Sequence, residues 1–185
     1  MAEERNIHVK MAMVEPLGCL LIAWIAFQVA MAGFDSFAVT SAAVMSVMSI
    51  VGIGLIILAF LAFWQENLLC TIVFGPLGVF FATFPSWALT PGAWAATMMI
   101  GIILLLAMIV SLLQPVRLLP VLLFFAFLLF IVLGMWLNTN PLDHSIQQVW
   151  GVMATIVFLL ALYLGTAVSL LVMKGKEVLP LLIKK

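Results

Sequence analysis

The amino-acid sequence predicts an all-α integral membrane protein of six transmembrane helices, with a broken third helix and both termini cytoplasmic. Three observations carry this reading. Hydrophobic residues make up 67% of the 185-residue chain and charged residues only 8%, against roughly 25% charged in a soluble domain. Apolar surface on that scale requires a bilayer as solvent. The apolar sequence also divides at polar turns into six runs, each near the ~20 residues that cross hydrocarbon. Finally, six crossings put all seven Lys and Arg residues on one side. Arg5 and Lys10 precede the first run, Arg117 lies between the fourth and fifth, and Lys174, Lys176, Lys184 and Lys185 follow the sixth. The opposite loops carry only Asp35, Asp143 and His144. By the positive-inside rule the termini then face the cytoplasm, which places the chain in the inner membrane.

Residues 1–16 read as a polar, interfacial segment ending at Pro16, a residue suited to the first helical position. Ile7, Val9, Met11 and Val14 give it a weak helical pattern that suits the membrane surface. The apolar run that follows has no small-residue cleavage site and is succeeded by further spans, so it is not expected to be a signal peptide. Residues 17–34 form the first span, closed by the turn Gly33-Phe34-Asp35-Ser36, with Asp35 or Ser36 capping the second. The second span ends at Trp64 and carries a stripe of small residues, Ala42, Ser46, Ser49 and Gly52. Such a stripe lets helices approach closely, or it lines a polar pore. Gln65-Glu66-Asn67 turns into the third span, which runs to residue 89. The fourth span covers 94–113, and Gln114-Pro115-Val116-Arg117 leads to the fifth at 118–137, with Pro120 tolerated in its first turn. Residues 138–148 form the longest loop and 149–173 the sixth span. The transmembrane domain is thus 17–173, followed by a basic cytoplasmic tail, 174–185. Most of the six tryptophans fall at span ends, as an interfacial belt requires; Trp24, inside the first span, does not.

The third span carries Gly75-Pro76 and Gly78 at its middle. A proline there removes a backbone donor and crowds the preceding turn. In hydrocarbon the freed carbonyl needs another partner, so a break at this depth must be buried in protein or line a wet cavity. Interrupted spans point to transport pathways. The other five helices therefore read as a wall around the third.

The chemistry available is sparse. No acidic, basic or His residue falls at the centre of a predicted span. That argues against an ion-coupled pump and against an intramembrane enzyme, so no catalytic residues are assigned. Cys19 and Cys70 lack any Cys-x-x-Cys or His spacing; they read as small packing residues, with no metal or cofactor. His8 and His144 fall in loops. A net charge of +0 gives no nucleic-acid signal. Within the spans lie Gln28, Thr71, Thr97, Thr155, Tyr163, Thr166 and several serines. These neutral hydrogen-bonding groups suit either a path for a small neutral or monoanionic solute or bonds between helices. An amide such as Gln28 costs free energy in lipid unless it is paired or faces water. Pro-Leu-Gly occurs at residues 16–18 and again at 76–78, either by chance or because two helices open their backbones toward one axis.

Several short strings are distinctive together. Pro16-Leu17-Gly18 opens the first span, with Met13, Val14 and Glu15 before it, and Gln28 and Ala32-Gly33 stand near its end. The third span carries Asn67, Phe74, Gly78 and Phe80, with Leu77 and Phe81 beside them; Tyr163-Leu164 and Val178-Leu179-Pro180 follow in the sixth span and the tail. Through these matches, scattered over most of the six spans, the chain resembles the acetate uptake transporter family, the succinate–acetate permease group. That family opens its first span with Asn-Pro-Ala-Pro-Leu-Gly, and carries Tyr and Trp where this chain has Leu77 and Phe81. The resemblance implies a six-span protomer assembled as a homo-oligomer, a hexamer, in contact with membrane lipid. Each protomer would hold its own pathway for acetate or a similar small monocarboxylate. It also implies that the path narrows at Ile22 and Leu77. The expected pathway residues are Ile22, Gln28, Asn67, Thr71, Phe74, Leu77, Phe80 and Tyr163. Acid-activated urea channels share the six-helix, hexameric plan, so urea or another small neutral solute is the alternative. A non-transporting membrane subunit that binds a partner is the reading from another class.

Overall fold

Backbone groups in hydrocarbon have no water to bond, so each apolar run must satisfy its own N–H and C=O groups by forming a helix. The computed structural model describes residues 14–34, 41–88, 90–114, 116–138, 144–175 and 178–180. Among these the chain forms α1 (Val14–Gly33), α2 (Ala42–Trp64), α3 (Leu68–Trp87), α4 (Ala93–Ser111), α5 (Leu118–Asn138) and α6 (His144–Lys174). All six are long and apolar enough to cross a membrane. Most of the interfacial segment, the Asp35–Ser36 cap, Asp143 and most of the basic tail lie outside the described residues.

Three boundaries differ from expectation. Helix α1 begins at Val14 rather than after Pro16, which brings Glu15 into its first turn. Carboxylates are favoured there by the exposed N–H groups and the helix dipole. Helix α2 begins at Ala42, capped by Ser41, whose Oγ accepts the Val44 N–H at 3.5 Å. Helix α6 begins at His144, so residues 144–148 are helical rather than loop. Its 31 residues span roughly 46 Å at ~1.5 Å each, longer than the ~30 Å of hydrocarbon. The polar first turns of α6 therefore extend beyond the apolar zone.

The expected break in the third helix is absent. Helix α3 runs unbroken from Leu68 to Trp87 with Pro76 and Pro85 inside it. Pro76 costs one backbone bond, whereas opening the helix would strand several groups in hydrocarbon. Packing also holds α3 regular. A Cβ on Gly78 would stand 2.8 Å from Ile56 N and 2.9 Å from Gly52 O, so α2 lies directly against the segment after the proline.

Each helix packs on its neighbours in sequence, and α6 closes back on α1, so the six form a ring in chain order. The closest pairs are α1–α6, α2–α3 and α4–α5. Helices α1 and α6 meet glycine on glycine: a Cβ on Gly151 would lie 3.0 Å from both Cα and the carbonyl carbon of Gly33. The small-residue stripe of α2 divides rather than serving one purpose. Gly52 is buried on α3, Ser49 is half-buried, and Ala42 and Ser46 are exposed on the outer surface, where Ser46 Oγ donates to Ala42 O at 2.8 Å.

The outer surface is apolar. Leu17, Leu20, Trp24 and Phe27 form an exposed line along α1, and Ile53, Ile57 and Phe60 do so on α2. Trp24 is thus an outward-facing residue, which accounts for its position inside a span. Trp136 and Trp150 depart from the belt: both are buried, with ring centroids 5.7 Å apart. They sit at helix ends but pack between helices instead of facing the interface.

Candidate functional site

The ring encloses a cavity of about 710 Å³ to which all six helices contribute. On α1 the lining residues Glu15, Cys19, Ile22, Ala26 and Val29 recur at three- and four-residue spacing, the signature of one helix face. On α3 the same spacing brings Cys70, Phe74, Leu77 and Phe81 to the cavity. Leu122, Leu129 and Phe130 of α5 and Val157, Leu164 and Val168 of α6 build much of the opposite wall, with Met48 of α2 and Leu104 of α4 completing it. Most of this surface is aliphatic or aromatic.

The polar lining residues gather at one end. In an up-and-down ring, the starts of α1 and α3 lie beside the ends of α4 and α6. Glu15, Asn67, Cys70, Gln114 and Gly175 all line the cavity there; this end is called the mouth below. Asn67 builds the mouth through local capping. Its Oδ1 accepts the Cys70 N–H at 3.2 Å and so caps α3. That leaves Nδ2 directed at α1, where it donates to Glu15 Oε1 at 3.0 Å. The Cys70 thiol approaches the same oxygen at 3.7 Å. A half-buried carboxyl gains from such donors, because partial burial strips some of its water. Two helix N-termini converge on this group, and both dipole ends favour negative charge.

Phe74, only 4% exposed, reaches the cavity because Gly18 has no side chain. A Cβ at Gly18 would stand 2.6 Å from a Phe74 ring carbon. The two Pro-Leu-Gly strings therefore play different parts. Gly18 seats an aromatic ring of α3, while Gly78 seats helix α2; they do not open toward one axis.

Of the eight residues expected along the path, four line the cavity: Ile22, Asn67, Phe74 and Leu77. Gln28, Thr71, Phe80 and Tyr163 do not. Gln28 is half-buried and, nine residues after Cys19, is roughly half a turn out of phase with the lining face at ~3.6 residues per turn. The Thr71 hydroxyl donates to Asn67 O of its own helix at 3.0 Å. Phe80 lies behind the wall in an aromatic cluster with Phe84, Trp87 and Phe130, centroids 5.1–5.4 Å from its own. The Tyr163 hydroxyl donates to Pro180 O at 3.0 Å and so ties the tail to α6.

Sequence reasoning missed Glu15, Cys19 and Cys70. Ending the surface segment at Pro16 left Glu15 outside the membrane domain. The i, i+4, i+7 relation of Glu15, Cys19 and Ile22 was the signal that could have recovered it. The cysteines looked like filler because nothing in a linear sequence shows which face of a fully apolar helix turns inward.

The fold is shared with a solved structure described as the structure of the bacterial acetate channel SatP, with a TM-score of 0.80. The match covers 92% of this chain and 98% of that one, at 20% sequence identity. No family model matches the chain, and no curated protein matches it significantly. At this identity the likeness is one of fold, and it is the fold that the scattered sequence motifs implied.

Proposed function

We propose that this chain is a membrane channel or facilitator for acetate or a similar small monocarboxylate, with one pathway in each protomer. The observation that carries the reading is an apolar-walled cavity, lined by all six helices of a ring whose fold is that of an acetate channel. Solutes enter past Asn67 and Gln114 and then meet Phe74, Ile22 and Leu77. Hydrophobic constrictions of this kind gate pores by excluding water. A small solute with an apolar methyl end and a polar head fits such a wall better than a hydrated metal cation does, since cations need oxygen ligands and the lining side chains beyond Glu15, Asn67 and Gln114 offer none. The protomer lies in the inner membrane with both termini cytoplasmic, and copies assemble as a hexamer through the apolar outer faces of the ring.

A second reading, a path for urea or another small neutral solute, is favoured by the neutral hydrogen-bonding groups Asn67 and Gln114 at the mouth. Purified protein in liposomes tests both. Labelled acetate should equilibrate faster than in protein-free vesicles, and unlabelled monocarboxylates should compete. Competition by urea alone would move the assignment to the second reading. An absence of flux for every small solute would reject both and leave a non-transporting membrane subunit.

A further inference from the structure

We infer that the cavity selects its solute by an aliphatic tail: it takes monocarboxylic acids well beyond acetate in length, holds them more tightly with each added methylene, and excludes those with a second carboxyl group at the far end. The inference rests on the channel reading and names the substrate class of the same cavity.

Size carries it first. The cavity measures about 710 Å³. Acetate has four non-hydrogen atoms and would fill roughly 120 Å³ of it, at ~30 Å³ for each water-sized group. Octanoate, with ten, would fill roughly 300 Å³ and still fit. Length agrees. Lining residues run from Glu15 to Val29 along α1, and from Asn67, the cap of α3, to Phe81. Either stretch rises roughly 21 Å at ~1.5 Å per residue.

Polarity sets the kind of molecule. Among the described residues, the wall's oxygen- and nitrogen-bearing side chains are Glu15, Asn67 and Gln114, all at the mouth. The other lining side chains are aliphatic or aromatic, with the two thiols and the Met48 thioether. Beyond the mouth the wall is built from α1–α6 alone. One polar end and one long apolar stretch match a solute with a single polar head and an aliphatic tail. Acetate would leave most of that apolar surface facing water, whereas each methylene that covers it gains transfer free energy. A carboxyl at the tail end would lose its water among side chains that offer it no hydrogen bond.

A chain-length series forms the test. Full-length protein is reconstituted in phosphatidylcholine vesicles, and uptake of labelled acetate is measured against unlabelled acids present on both sides. From acetate to hexanoate, the half-inhibiting concentration should fall about fourfold per methylene, the transfer free energy of one CH2. Adipate has the six carbons of hexanoate and a second carboxyl group, and it should not inhibit. An octanoate analogue with a diazirine on its last carbon, photolysed in the same vesicles, should mark Phe74, Leu77 or Ala126 of the wall, and unlabelled octanoate should suppress the marks. This separates the cavity from the bilayer, where a partitioned acid would mark the outward residues Ile53, Ile57 and Phe60. If labelled acetate crosses but inhibition weakens with chain length, adipate matches hexanoate, or the marks are confined to outward residues, the tail selection is overturned and the channel reading stands. Acetate uptake no faster than through bare lipid, with no wall residue marked, overturns both.

Discussion

The Asn67 side chain faces two helices at once: it accepts the Cys70 N–H at 3.2 Å and donates to Glu15 Oε1 at 3.0 Å. One amide thus caps α3 and joins it to the first turn of α1. Asn67→Ala should remove both bonds and lower stability by about 1–2 kcal/mol, the usual cost of losing a helix cap. Asn67→Asp should keep the cap but place a second carboxylate against Glu15, with loss from like-charge contact. Thermal unfolding in mild detergent checks this. An Asp variant as stable as the parent would show that the Asn67–Glu15 bond contributes nothing.

Helix contact at Gly33 and Gly151 leaves no room for a methyl group. Gly151→Ala should cost about 1–3 kcal/mol through overpacking, because the atoms it meets are backbone and cannot rotate aside. Gly75→Ala is the matched control. A Cβ there meets only Ala59 Cβ at 3.8 Å, an ordinary contact, and alanine favours helix over glycine by roughly 1 kcal/mol. The two variants should therefore shift unfolding in opposite directions.

Leu77 is 4% exposed and lines the cavity beside Phe74. Leu77→Trp should block solute flux while leaving assembly intact, and Leu77→Ala should raise it. A Trp variant that conducts like the parent would place the path elsewhere. Pro76→Ala separates the helix from the path. Since α3 is already regular, restoring the Pro76 donor to the Ile72 carbonyl should add about 1 kcal/mol and leave flux near the parent value. A large flux change in Pro76→Ala would mean that the proline shapes the conducting state.

The proposed orientation rests on the one-sided Lys and Arg residues. Tags on both termini should be protected in intact cells, whereas Asp143→Cys should react with an impermeant thiol reagent. Labelling of a terminal tag together with a protected residue 143 would invert the topology.

The amino-acid sequence by itself determined the solvent, the number of helices and their order. Each depends on local properties: the length of an apolar run, the polar turn that ends it and the capping residue that starts the next. Asn67 was legible as a turn residue for the same reason, and Ile22, Phe74 and Leu77 through short motifs. What only the tertiary structure decided is which face of each helix turns inward. In soluble helices polar residues mark the outer face, but here both faces are apolar, so Cys70 and Thr71, adjacent on α3, could not be told apart until packing put Cys70 on the wall. Gln28, Phe80 and Tyr163 fell off the wall for that reason as well. The fate of Pro76 was likewise not local. Its ring argued for a break, and the cost of exposing backbone in hydrocarbon, together with the close seat of Gly78 on α2, kept the helix whole. Glu15 depended on both levels: its place in the first turn is local, but its bond to Asn67 exists only because α3 begins beside it with Asn67 already committed as a cap.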